Sequence, residues 1–92
     1  MKKFVDAQKM QEKYPKTFEA PTWDELSKLE VGDLVKVCYN DEERFWVIIT
    51  EINHKNNKIK GRVDNALMGN FGFSYGDEIE FEKRHVYVIW GD

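Results

Sequence analysis

Two hydrophobic periods divide this chain. From Lys3 to Tyr14 the apolar positions Phe4, Ala7, Met10 and Tyr14 recur every three to four residues, with Gln11 beside Met10, which predicts an amphipathic helix. Pro15 ends it, because a residue preceding proline is pushed out of helical conformation. "PKTFEAP" then reads as extended. Thr22 opens a second, short helix: its hydroxyl can cap, Glu25 can reach back, and Trp23, Leu26 and Leu29 would share one buried stripe.

From Gly32 the period becomes two, which predicts strands at Leu34–Tyr39, Arg44–Asn53, Lys58–Asn65, Glu78–Lys83 and His85–Trp90. "NDEE" (Asn40–Glu43) and "HKNN" (His54–Asn57) supply turn chemistry, since Asn and Asp tolerate left-handed backbone and bond locally. Five short strands joined by tight turns predict an α+β fold, with two short N-terminal helices packed on a five-stranded antiparallel SH3-like barrel. Residues 1–92 form one domain in this reading, with 1–30 as the helical segment and 31–92 as the barrel. "RFWVIITEI" is apolar on both faces over Phe45–Ile49, so cover is expected from the barrel interior on one side and the helices on the other.

"VGDLVKV" at Val31–Val37 and "YGDEIEF" at Tyr75–Phe81 enter strands the same way. Glycine supplies a positive φ, and the Asp is expected to accept a backbone N–H two residues on. The pair predicts a repeated turn rather than a repeated gene segment, because the flanking residues differ.

Length and composition narrow the class. Ninety-two residues suit one domain, and 41% hydrophobic with 14% aromatic content is enough for a core despite 34% charged residues. The net charge of −3 argues against whole-molecule attraction to nucleic acid. A single cysteine, Cys38, in an apolar run suits a reducing compartment and a packed thiol. The start "MKKFVDAQKM" lacks the apolar stretch of a signal peptide, and no run is long enough to span a membrane. The cytoplasm is the expected location.

Candidate chemistry is sparse. Lys58, Lys60 and Arg62 alternate along one strand and Glu78, Glu80 and Glu82 along another, so antiparallel neighbours would set the basic row against the acidic row. His54 and His85 are expected at the surface, 31 positions apart and with no cysteine nearby to complete a metal set. No nucleophile elbow, zinc-protease, P-loop or dinucleotide fingerprint occurs, and no catalytic residue, metal or cofactor is assigned.

The segment "ALMGNFGFSY", Ala66–Tyr75, carries Leu67, Met68, Phe71, Phe73 and Tyr75 between glycines. Such a loop either folds back as a plug on an open end of the barrel or presents a binding patch, since aromatic and Met side chains concentrate at interface centres. Trp90 fits either use.

"ERFWVIITEI", "IKGRVDN", "GDEIEF" and "HVYVIW" together resemble a bacterial domain-of-unknown-function family, the one numbered two-three-one-four, over roughly Gly32–Trp90. The matching positions are Phe45, Trp46, Val47, Gly61, Val63, Asn65, Gly76, Asp77 and Ile79. The chain departs from that pattern in lacking a proline soon after Asn65 and in its aromatic loop. The resemblance implies no activity.

The functional expectation is a non-enzymatic cytoplasmic interaction module that docks a protein through Asn65, Met68, Phe71, Phe73, Tyr75 and Trp90. One alternative is a single-stranded nucleic-acid binder that stacks bases on Phe71, Phe73 or Tyr75 with Lys58, Lys60 and Arg62 behind them. Another is a small hydrolase-like enzyme built around Asp64, Glu82 and His85.

Overall fold

Helix α1, Ala7–Lys13, starts where Asp6 accepts the Lys9 N–H at 3.0 Å as an N-cap. The computed structural model describes residues 4–69 and 71–91, so Lys3 and Asn70 of the expected elements lie outside the described residues. The helix is shorter than its apolar spacing predicts because Phe4 is drawn into an isolated antiparallel bridge with Tyr39. Helix α2, Trp23–Ser27, carries the expected capping box: Glu25 N–H donates to Thr22 and Thr22 N–H donates to Glu25. Leu26 and Leu29 are buried, but Trp23 is 50% exposed. It stands at the first position of a five-residue helix, and only the pair three residues apart reaches the core.

The strands are β1 Leu34–Tyr39, β2 Glu43–Asn53, β3 Lys58–Val63, β4 Glu78–Glu82 and β5 Val88–Ile89. They form one antiparallel sheet in the order β4-β3-β2-β1-β5. The sheet is open: among the described residues no pairing joins its edges β4 and β5, so the expected closure into a barrel does not occur. Fold class is thus α+β, with two helices on a five-stranded antiparallel sheet. The β1–β2 turn holds Asn40 and Asp41, and the β2–β3 turn Asn57, all at positive φ, as their side chains permit.

The last expected strand, His85–Trp90, is mostly something else. Lys83–His85 form a 3-10 turn, and only Val88–Ile89 pair with β1. Lys83, His85, Val86 and Tyr87 are all buried, a pattern that alternation along a flat strand cannot produce. His85 is 8% exposed, which corrects its expected surface placement.

One core holds Leu26 and Leu29 of α2 against Val35, Val37, Phe45, Val47, Ile49, Ile59, Val63 and Phe81 from the sheet. A second, smaller cluster joins Ala7 of α1 and Ala20 to Cys38 and Tyr87. Both helices are therefore committed elsewhere than over the centre of the opposite sheet face. There Trp46 and Ile48 are only half-buried, which corrects the expectation that β2 is covered on both sides.

The two Gly-Asp stretches are one device used twice. Gly32 and Gly76 have φ of 98° and 89°. Gly32 N–H donates to Ile49 O and Ile49 N–H donates to Asp33 O; Gly76 N–H donates to Val63 O and Val63 N–H donates to Asp77 O. Each turn thus brackets one core residue of a neighbouring strand. The aspartates accept from the residue three positions earlier, Glu30 and Ser74, rather than two positions on. That closes the turn on itself before the strand begins.

Candidate functional site: an uncovered tryptophan face

Strand parity decides which side chains the helices leave in view. Phe45, Val47 and Ile49 of β2 point into the core, so Arg44, Trp46 and Ile48 point outward. Register then assembles the outer face. Lys36 lies opposite Trp46, Leu34 opposite Ile48, Ile48 opposite Arg62, and Val88 opposite Lys36. Trp90 N–H donates to Leu34 O, which extends the β5 pairing and brings its indole over the sheet. The Trp46 and Trp90 rings meet edge to face, 5.6 Å between centroids, and the Lys36 Nζ lies 4.9 Å from the Trp46 ring centroid. Trp90 is 69% exposed and Val88 is also exposed.

The charges around this face are unevenly committed. Lys36, Arg44 and Arg62 have no carboxylate partner among the described residues. Arg44 rests instead over Tyr87, 5.0 Å from the ring. Glu78, the cross-strand neighbour of Arg62, accepts from the Thr50 hydroxyl. Asp64, whose N–H donates to Trp46 O, is an exposed carboxylate at the end of the Trp46 row. The expected register of basic against acidic rows is present: Lys58, Lys60 and Arg62 face Glu82, Glu80 and Glu78. Of these three pairs only Lys58–Glu82 closes, at 3.7 Å, while Lys60 turns to Glu51 at 3.9 Å.

The Ala66–Tyr75 loop behaves mainly as a plug. Phe71 is buried and Phe73 packs against the main core, in ring contact with Tyr39 and Phe45. Glu43, at the start of β2, pins the loop by accepting the N–H groups of Met68 and Gly69 at 2.7–3.0 Å. Of the six expected binding residues, Met68, Tyr75 and Trp90 are exposed. Phe71 and Phe73 face inward because the bridge of Phe4 to Tyr39 and the end of β1 offer them an apolar seat. Asn65 is spent on the fold: its Oδ1 accepts the Trp46 N–H at 2.6 Å. Trp46, Lys36 and Val88 were absent from the expected site, although the alternation of "RFWVII" already carried their face.

The acid–base alternative does not assemble. Glu82 is held by Arg84 and Lys58, and His85 Nδ1 accepts the Glu82 backbone N–H rather than facing its carboxylate. Asp64 stands on the outer face. Burial pushes the Cys38 thiol up and Tyr87 up to about 12, so both stay protonated and unreactive at neutral pH. Among the described residues no group of three or more His, Cys, Asp or Glu side chains is placed to hold a metal ion, and no helix is long and apolar enough to cross a membrane.

Comparison with protein-family models, with curated proteins and with solved structures yields no match for this chain.

Proposed function

We propose that this domain is a non-catalytic docking module that binds a protein partner across the outer face of its sheet, with Trp46 and Trp90 at the centre. The observation that carries this reading is the edge-to-face pair of a half-buried Trp46 and an exposed Trp90, on a part of the sheet that neither helix packs over. Tryptophan is the residue most enriched at the energetic centres of protein interfaces. Val88, Leu34 and Ile48 extend the apolar area, and Lys36, Arg44 and Arg62 form a rim suited to carboxylates on the partner. Met68 and Tyr75 are exposed but belong to a loop whose other large residues serve the core.

A protein fits better than a nucleic acid. The Lys36 ammonium already lies over the Trp46 ring, Trp90 packs perpendicular to that ring, and Asp64 would repel phosphate. We read the meander β1–β4, the 3-10 turn and the short return of β5 to β1 as SH3-like in outline. The resemblance to the family numbered two-three-one-four, which implies no reaction, is compatible with this proposal. The buried lone thiol of Cys38 suits residence in the cytoplasm.

A pull-down from native lysate tests the proposal, run with the wild-type chain, Trp90→Ala, Lys36→Ala and Met68→Ala, beside titration with a twelve-residue oligo-dT. The expected result is a protein retained by wild type and Met68→Ala and lost with Trp90→Ala and Lys36→Ala. No Trp90-dependent protein, or Trp90-dependent oligo-dT binding that collapses with added salt, would overturn it.

A further inference from the structure

A second concavity lies away from the tryptophan face, between α1 and the 3-10 turn. It encloses about 390 Å³ and is lined by Phe4, Val5, Asp6, Lys9, Met10, Lys13, Arg84 and His85. That volume is within the range of small-molecule sites, roughly 300–1,000 Å³. Its apolar part is Phe4, Val5 and Met10. Its charged part is lopsided, with three cations against the single carboxylate of Asp6 in a chain whose net charge is −3.

The commitments of those charges matter more than their number. Asp6 Oδ2 accepts from Arg84 at 2.9 Å and its Oδ1 accepts the Lys9 N–H, so this carboxylate is used twice within the fold. Arg84 also reaches Glu82 at 3.1 Å and is fixed in place. Lys9 and Lys13, one turn apart on α1, have no carboxylate partner among the described residues; Lys13 only approaches the Tyr14 ring, at 5.4 Å. His85 adds a polarised group. Its Nδ1 accepts the Glu82 N–H at 3.0 Å, so the neutral ring carries its proton on Nε2, and the ring lines the groove beside Phe4.

We infer that this groove binds a small amphipathic carboxylate, its apolar body on Phe4, Val5 and Met10 and its carboxylate between Lys9 and Lys13. The match is one of charge and shape together. An apolar floor removes the body from water, and two exposed lysines of α1 without carboxylate partners among the described residues belong to one wall, within reach of a carboxylate seated there. A concave seat favours a free acid over a membrane surface, which would need a protruding apolar patch.

Sodium decanoate titrated into the full chain tests this, followed by calorimetry and by the His85 ring resonances. Decyltrimethylammonium and phosphatidylglycerol vesicles are run in parallel. Saturable decanoate binding is expected, with a shift at His85, weakened about tenfold in Lys9→Glu/Lys13→Glu and unchanged in Lys28→Glu/Lys55→Glu, which changes charge equally at exposed positions outside the groove's lining. No saturation, equal binding by both double variants, equal binding of the cationic detergent, or lysine-dependent capture by vesicles without decanoate binding would each overturn the inference. Circular dichroism of Lys9→Glu/Lys13→Glu checks that the fold is retained, as the exposure of both lysines leads one to expect.

Discussion

The indoles of Trp90 and Trp46 pack perpendicular to one another, the two planes 88° apart, although 44 positions of chain separate the residues. An aromatic pair of this kind contributes about 0.5–1.5 kcal/mol beyond area burial. Trp90 is largely in solvent, so Trp90→Ala should lower unfolding stability by no more than about 1 kcal/mol, read from urea denaturation. Loss of partner binding with so small a change in stability would separate a docking residue from a core residue. A drop of several kcal/mol would make Trp90 structural and remove the basis of the proposed face.

Phe73 provides the contrast. It touches Tyr39, Phe45 and Phe71 and packs against the main core while only partly buried, so Phe73→Ala should cost about 2–4 kcal/mol, somewhat below the roughly 3–5 kcal/mol of a fully buried aromatic. Tyr75→Ala, at a position 66% exposed, should stay within about 0.5 kcal/mol of wild type. Thermal melts of the two variants check both values. A loop that presented its aromatics to a partner would reverse their order.

Gly61 is set by close approach rather than by backbone conformation. A Cβ there would lie 2.3 Å from Val47 Cγ1 and 2.9 Å from the Ile48 carbonyl oxygen. The valine can rotate, but the carbonyl belongs to the β2–β3 ladder and cannot yield cheaply. Gly61→Ala should therefore destabilise by about 1–3 kcal/mol, as overpacking does. An unchanged urea midpoint would mean that the strands part more easily than their pairing suggests.

Acidification should weaken the fold in two stages. Burial, and then the Arg84 charge, hold His85 below its ordinary value. Unfolded histidine takes up its proton as pH falls through about 6.5 while folded His85 does so only at lower pH. The unfolded state binds more protons in that window, so stability falls as pH drops from about 7 and levels off once folded His85 is protonated. Burial pushes Asp6 up, but the Lys9 N–H and Arg84 outweigh it, and the hydrogen bond from Arg84 pulls Glu82 down; both carboxyls end below their ordinary values. Their contribution is present above the usual carboxylate range and is lost as pH falls through the folded values. Urea unfolding from pH 8 to pH 3 should show both stages. His85→Gln, which keeps an acceptor for the Glu82 N–H, should flatten the first and leave the second; an unaltered first stage would assign it to another group.

Much of this architecture was legible in local chemistry. The capping box of Thr22 and Glu25, the boundaries of β1, the Asn and Asp turns and the cross-strand rows of Lys58–Arg62 and Glu78–Glu82 follow from rules that operate over a few residues, and all are present. The two Gly-Asp entries were recognisable as turns for the same reason. What each turn grips, Ile49 in one case and Val63 in the other, was not, because those partners come from distant strands.

The functional surface divides the same way. Alternation along β2 determined that Trp46 and Phe45 face opposite sides, but it carried no information about which side the helices would cover. That was decided in three dimensions, by Leu26 and Leu29 seating α2 in the main core and by Ala7 drawing α1 to Cys38 and Tyr87. With both helices so placed, α1 covers only the Cys38 end of the outer face, the Trp46 end is left half-buried, and Trp90 comes to rest on it. The aromatic loop was settled by the same competition for apolar cover. Phe71 and Phe73 lose their freedom because Phe4 and Tyr39 already form a wall beside them, and a ring gains more by joining that wall than by remaining in solvent.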